Sequence, residues 1–315
     1  MNSPLSNSPR IAVLGAGVIG QVYASLLHRV GAHVTLLARG SRREQLHNNG
    51  VNMLRNDPHP QKLIVPVPVA DAEQPPPTDI VLLAVRTQQL PSALEFISSM
   101  GTPMVVTMMH LTDQQDLLER AVGHDRIIRG FPGIGGYLDK TGQVVWAPVR
   151  QQPTTLDAKA PNSAQIQKLL SSTGLKTIRE PWMTDWLNIH TIFIACLSAA
   201  IVRAGGSATQ AAGNRQIMHP MVQAIRQGFR AYRQSGGRVR PRSLAMLFGL
   251  MPSWFAAHYW QRELQGTLGR IILAPHTRNN EKDEVPLVWH NAKMLLEGTA
   301  PFLQEWVSPN MVDGF

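Results

Sequence analysis

Three glycines and one arginine carry the first chemistry in this chain. Gly15, Gly17 and Gly20 form G-x-G-x-x-G within Gly15-Ala16-Gly17-Val18-Ile19-Gly20. The run directly follows the apolar stretch Arg10 to Leu14. After it, Ala24, Leu26, Leu27 and Val30 recur at helical spacing until Gly31 stops the pattern. Strand, glycine turn and helix in that order leave a helix N-terminus with free N–H groups for a pyrophosphate. The first glycine permits a tight turn, the second lets backbone approach the anion, and the third lets helix and strand pack closely. Past the next apolar run, His33 to Leu37, the position that holds Asp or Glu in NAD sites is occupied by Arg39, and no acid follows until Glu44. A guanidinium grips a 2′-phosphate through two parallel hydrogen bonds, where a carboxylate would repel it. The spacing therefore predicts NADP(H), held by residues 15 to 20 and Arg39.

Further side chains fall where strand ends meet ligands. His110 follows the buried run Pro103 to Met108, and an imidazole there could protonate a nascent alkoxide near neutral pH. Arg86 ends the apolar strand Asp79 to Val85 and reads as a second cofactor contact. His258, among Trp254, Phe255, Tyr259 and Trp260, reads as part of an aromatic helix face packed in the core. His190, with Trp186, Phe193 and Ile194, also has core spacing, and Arg203 caps the end of its helix. The histidines lack H-x-x-x-H spacing and have no acidic cluster beside them, so no metal is expected.

These residues need a scaffold, and the pattern supplies one. Short apolar runs alternate with helical stretches: a helix at Ser41 to Asn49, strands at Val51 to Leu54 and Leu63 to Val69, and a helix at Leu90 to Ser99. A helix at Asp113 to Val122 and a strand at Arg126 to Gly130 follow, then added strands and a helix at Ser163 to Ser172. From Pro181 on, long helical segments take over: Trp182 to Ala204, Gln216 to Ser235, Pro241 to Gly249, Ser253 to Gly266 and Pro286 to Glu297. The expected fold is α/β, an N-terminal Rossmann-type doubly wound sheet over residues 1–180 and an all-helical substrate or dimerisation domain over 181–315.

Composition narrows the function. The chain has 315 residues, 43% of them hydrophobic, and one cysteine, Cys196, which excludes an internal disulfide and fits a reducing cytoplasm. The opening MNSPLSNSPR lacks the basic and apolar regions of a signal peptide and reads as a disordered leader. Ile189 to Val202 is shorter than a bilayer span and reads as a buried helix, so no membrane is expected. The formal net charge is +9. Its arginines are scattered, and the richest stretch, Arg226 to Arg242, reads as a solvated face around a turn. With no helix-turn-helix, zinc-finger or RNP-type pattern, the excess reads as a field for an anionic cofactor and an anionic small-molecule substrate, not for nucleic acid. A homodimer is the assembly left open.

The chain resembles the ketopantoate reductases (2-dehydropantoate 2-reductases) over nearly its whole length. IAVLGAGVIG followed by VTLLARGSRREQLHNNGV is similar to that family's opening, and DIVLLAVRTQQL to its fourth strand and following turn. GHDRIIRGFPGIGGYLDKTGQVV, PSWFAAHYWQRELQG and EVPLVWHNAKML occupy the places of later family segments. The resemblance implies reduction of a 2-oxo acid or related carbonyl with NADPH. It places Arg86 where the family has a cofactor-facing lysine, and His110 where it has an asparagine near the nicotinamide ribose. Trp186 matches the tryptophan of a W-x-K pattern, so Asn188 takes the place of the catalytic lysine. Ile192 and Cys196 take the places of two asparagines, Gln265 that of a glutamate, and Ser253 matches the substrate-binding serine. Asn188 can donate a hydrogen bond but not a proton, and Gln265 cannot ionise. The expectation is a reductase with altered catalytic residues (His110, Asn188, Ser253, Gln265) and a bulkier or more apolar substrate than ketopantoate. The alternative is an NADP(H)-binding protein without turnover.

Overall fold

The computed structural model describes residues 8–57, 59–101, 103–111 and 114–308. Most of the leader expected at the N-terminus, and Asp113 at the expected start of a helix, lie outside them. The chain divides into two compact units, Met1–Met183 and Thr184–Phe315.

The first unit is built on a parallel sheet whose strands are almost wholly apolar, as a sheet covered on both faces requires. Its elements are β1 (Ile11–Leu14), α1 (Val18–Arg29), β2 (Val34–Ala38), α2 (Gly40–Asn49), β3 (Val51–Asn56), β4 (Pro60–Val65) and β5 (Val69–Asp71). They continue with β6 (Ile80–Leu83), α3 (Leu90–Ser99), β7 (Met104–Thr107), α4 (Gln115–Val122), β8 (Ile127–Ile128) and β9 (Gly130–Phe131). Last come β10 (Ile134–Leu138), β11 (Val144–Pro148), β12 (Thr154–Asp157), α5 (Ser163–Ser172) and β13 (Thr177–Glu180). The main sheet runs β5-β2-β1-β6-β7-β8, with every pair parallel. Alternation along the strands feeds two cores. Ile11, Val13, Ile80 and Leu82 face the layer that contains α1. Ala12, Leu14, Val81 and Leu83 face the layer that contains α3 and α4. Helices on both faces make this the expected Rossmann-type doubly wound unit.

Two expected strands are each divided. The run Leu63 to Val69 breaks at Pro66 and Pro68, which cannot donate to a ladder. Its halves join different sheets: β4 pairs with β3 in the four-stranded sheet β10-β11-β3-β4, while β5 edges the main sheet. Arg126 to Gly130 likewise parts into β8 in the main sheet and β9 in the small sheet β13-β12-β9. Arg129, at the join, holds Asp157 at the end of β12 through its guanidinium.

The second unit is helical: α6 (Met183–Arg203), α7 (Ala208–Gly213), α8 (Arg215–Gln234), α9 (Arg242–Gly249) and α10 (Ser253–Gln265). A π-helical segment, Leu268–Leu273, then leads to α11 (Ala274–Asn279), α12 (Glu284–Leu295) and α13 (Pro301–Trp306). α6 is its central element. With 21 residues and a mean hydropathy of 1.5 it has the length and composition of a membrane span, but 78% of its apolar window is buried inside the protein. At Gly228 in α8 an added Cβ would stand 2.8 Å from Ile192 and 2.5 Å from Leu303, so α6, α8 and α13 meet closely there. Arg203 bonds the Ala199 carbonyl and stacks over Trp306 at 4.1 Å, the capping role its position predicts. The expectation did not include α7, the π segment, α11 or α13, each of which has six residues.

Candidate functional site

The main sheet lines up the carboxyl ends of four neighbouring strands. Leu14 is in register with Leu37 and Leu83, and Leu83 with Thr107. Gly15, Arg39, Arg86 and His110 follow those ends, so topology gathers them along one edge, where doubly wound sheets bind ligands. The three glycines do different work there. Gly15 has φ +117°, and a Cβ on it would lie 2.4 Å from the Ala84 carbonyl oxygen. A Cβ on Gly20 would stand 1.8 Å from the Gly15 oxygen, which fixes the tight crossing of helix and turn. Gly17 is extended (φ −81°, ψ −168°) and caps α1, and a Cβ there would meet nothing within 4 Å. The first turn of α1 carries no acid. An open cradle above a helix N-terminus fits a pyrophosphate. Gln21, fully buried, braces the turn by donating to the Ala16 carbonyl at 2.8 Å.

Basic residues follow β2. Arg39 is exposed at the N-cap of α2, with its guanidinium 5.2 Å from the Phe96 ring centre. Arg42 is half-buried and bonds Gln45 at 2.7 Å, and burial pushes its guanidinium below its ordinary value. Arg43 is paired with Asp71, the last residue of β5, which lies in register with Ala38. The spacing gave no sign of this Arg43–Asp71 pair, because the two residues come from separate strand–helix units. Arg86 is exposed at the start of the turn before α3. His110 is half-buried, its ring edge-on to Phe131 at 4.9 Å, and its carbonyl accepts from the Thr87 hydroxyl at 3.0 Å.

In the helical unit, Asn188 belongs to a polar chain. Its amide donates to the Tyr232 hydroxyl at 3.0 Å, and that hydroxyl donates to Asp185 at 2.9 Å. Asp185 also accepts the Arg238 backbone N–H at 3.0 Å. Burial, with the neighbouring carboxylate adding to it, pushes the Tyr232 phenol up to about 12. Tyr232 lies on α8, and no motif marks it in the sequence. Asp185 precedes Asn188 by three residues, a helical neighbour that the spacing could have suggested. Ser253 and Gln265 occupy the first and last positions of the 13-residue α10, about 18 Å apart by helical rise.

Several expectations need correction here. Ile192 and Cys196 do not line a pocket: both are fully buried in the helical core, and the Cys196 carbonyl accepts from the Trp306 indole. They sit on α6 where α8 and α13 press against it, so the apolar replacements became packing. The aromatic face around His258 is only partly in the core. Trp260 is buried, while Trp254, Phe255 and His258 are exposed. His190 is buried and stacked on Trp186 at 5.1 Å, as core spacing implied. Among the described residues, no three His, Cys, Asp or Glu side chains gather as a metal site would need.

The architecture is that of a Rossmann-type unit followed by a helical unit. Residues 11–160 match the family model described as ketopantoate reductase PanE/ApbA, so the first unit is similar to that family. Solved structures share the fold at low identity. The 2-dehydropantoate 2-reductase from Geobacter metallireducens GS-15 has 13% identity and a TM-score of 0.76, with 96% of this chain and 99% of that one covered. A PanE/ApbA family ketopantoate reductase from Ralstonia eutropha JMP134 has 16% identity and a TM-score of 0.72, covering 96% and 97%. D-mandelate dehydrogenase with NADH and anilino(oxo)acetate has 13% identity and a TM-score of 0.73, covering 96% and 97%.

Proposed function

We propose that the chain is an NADPH-dependent reductase of 2-oxo acids whose catalytic residues differ from those of the ketopantoate reductases it resembles. One observation carries the cofactor half. The open Gly17 cradle lies on the same sheet edge as an exposed Arg39, and the nearest carboxylate on the neighbouring strand, Asp71, is neutralised by Arg43. That edge is positive where a 2′-phosphate would lie, and its Asp71 carboxylate is engaged by Arg43 instead of being offered to a ribose diol. Bound there, NADPH supplies the hydride that adds to a carbonyl carbon.

The chain's own residues then have to stabilise the oxygen as it becomes an alkoxide and deliver a proton to it. Asn188 donates one amide hydrogen to Tyr232 and retains a second to polarise a carbonyl. Tyr232 and Asp185 fix its orientation. His110 is the titratable group proposed to deliver the proton, with Ser253 as a substrate contact. The relatives named above, two 2-oxo acid reductases by name and one bound to anilino(oxo)acetate, support a 2-oxo acid as the substrate class. The single thiol is buried, and a cytoplasmic setting suits it.

The test is NADPH consumption by the full chain across a panel of 2-oxo acids, ketopantoate included, beside NADPH and NADH affinities from cofactor fluorescence. Turnover with NADPH, weaker binding of NADH and little activity on ketopantoate are expected. Tight NADPH binding without turnover of any acid would instead establish a cofactor-binding protein. An Asn188→Ala variant that turned over as fast as the parent would remove Asn188 from the site.

A further inference from the structure

Among the described residues, four of the eleven exposed large apolar side chains fall within ten residues: Met246 (54% exposed), Leu250 (74%), Trp254 (66%) and Phe255 (41%). They flank the turn from α9 into α10. Met246 and Leu250 stand one helical turn apart, joined by a 2.9 Å bond from the Leu250 N–H to the Met246 carbonyl. The Trp254 and Phe255 rings, at the start of α10, lie edge to face at 5.9 Å. Ser253 sits between the two pairs. An exposed apolar cluster of this kind marks a binding surface.

The stretch of chain that carries it is one-sided in charge. Between Asp185 and Glu263 the chain carries nine arginines and no lysine, aspartate or glutamate. Two of these guanidinium groups border the turn. Arg226 donates to the Met251 carbonyl. Arg233 places Nη2 3.8 Å from where a Cβ on Gly249 would stand. A hydroxyl among apolar side chains, rimmed by cations and remote in sequence from any carboxylate, is complementary to a small anion with a large apolar tail.

We infer that the segment Met246–Phe255 binds the apolar side chain of the 2-oxo acid, so that aryl and long-alkyl 2-oxo acids are preferred over short ones. The inference rests on the reductase reading. It also restores, on different residues, the apolar preference that Ile192 and Cys196 cannot supply. Each methylene taken out of water favours binding by about fourfold.

The experiment is calorimetric titration of pyruvate, 2-oxohexanoate, 2-oxooctanoate and phenylpyruvate into the full-length protein, with and without saturating NADP+. Kd should fall along the alkyl series by about fourfold per methylene until the surface is covered. Leu250→Ser and Trp254→Ser, both at exposed positions and so tolerated by the fold, should each flatten that series. A Kd independent of chain length overturns the inference, as does a series that survives both substitutions. A dimer in sedimentation velocity that Trp254→Ser dissociates, with the acid series unchanged, assigns the patch to a second copy and overturns it too. NADPH oxidation is read separately. A graded binding series without oxidation sinks the reductase reading and keeps the apolar surface. Oxidation of every acid with a flat series does the reverse.

Discussion

The two units make their candidate sites from different materials. In the first, the site is mostly backbone: the turn at Gly15, the open N-cap at Gly17 and the tight crossing at Gly20. In the second, it is side chains borne on separate helices: Asn188 on α6, Tyr232 on α8 and Ser253 on α10. A backbone site fails if Gly15 or Gly20 changes, because the turn itself then fails. A side-chain site can be rewritten while the helices stay packed. Ile192 and Cys196 illustrate this, being core residues at positions where the family resemblance implied polar groups.

The contrast is broken most forcefully at Gly20. Gly20→Ala would drive a methyl to 1.8 Å from the Gly15 carbonyl oxygen. NADPH binding should be lost and the fold destabilised by about 3 kcal/mol, read by cofactor fluorescence and thermal melts. Gly17→Ala is the matched control. Its methyl meets no protein atom within 4 Å, so the melting temperature should hold while cofactor affinity falls about tenfold or more. Equal destabilisation by both variants would refute the backbone account of the cradle.

Arg39→Glu comes next in size. Replacing a charge-assisted phosphate contact by a repulsive carboxylate should lower the NADPH-over-NADH preference by about 100-fold. Arg43→Ala should shift the preference the same way by a smaller factor, because it releases the Asp71 carboxylate. An unchanged cofactor ratio in Arg39→Glu would remove Arg39 from the 2′-phosphate site.

How much of this was legible in the sequence follows from the same contrast. Strand, turn and helix around residues 10 to 38 could be read because period and glycine spacing are local. The helices Leu90–Ser99 and Ser163–Ser172 could be read within a residue for the same reason. The division of Leu63 to Val69 between two sheets depends on which strand lies alongside, a long-range choice that only its prolines hinted at. The polar chain Asp185–Tyr232–Asn188 joins α6 to α8 across more than forty positions, and no spacing rule connects them. The family resemblance located Asn188 but left Tyr232 unmarked. It also suggested a pocket at Ile192 and Cys196, because a matched position says nothing about whether the side chain still faces a ligand.

Tyr232→Phe sharpens the side-chain half. It removes the acceptor of the Asn188 amide and one partner of Asp185, at a cost of about 1–2 kcal/mol in stability. If Asn188 must be held in place to polarise the carbonyl, kcat should fall about tenfold with KM nearly unchanged, since the loss is felt mainly in the transition state. A rise in KM alone would make Asn188 a ground-state contact. No change in either would confine the Tyr232 bond to folding.

The smallest effect compares one buried phenol in each unit. Tyr23 bonds Thr154 at 2.6 Å and accepts from the Gly133 N–H at 3.2 Å, while Tyr232 contacts Asn188 and Asp185. Both phenols are pushed up to about 12, chiefly by burial, but only Tyr232 has a carboxylate adding to the rise. An unfolded phenol ionises near 10, so the folded state keeps protons that the unfolded state has lost between about pH 10 and 12. Stability from both groups is therefore complete below about pH 10 and declines as pH rises through about 12. Spectrophotometric titration of phenolate should show two late phenols. Asp185→Asn should let one of them ionise earlier and leave the other in place, because Tyr23 has no charge partner to lose. If both moved together, the phenols would be reporting partial unfolding, and the distinction between a desolvated tyrosine in one unit and a carboxylate-coupled one in the other would fail.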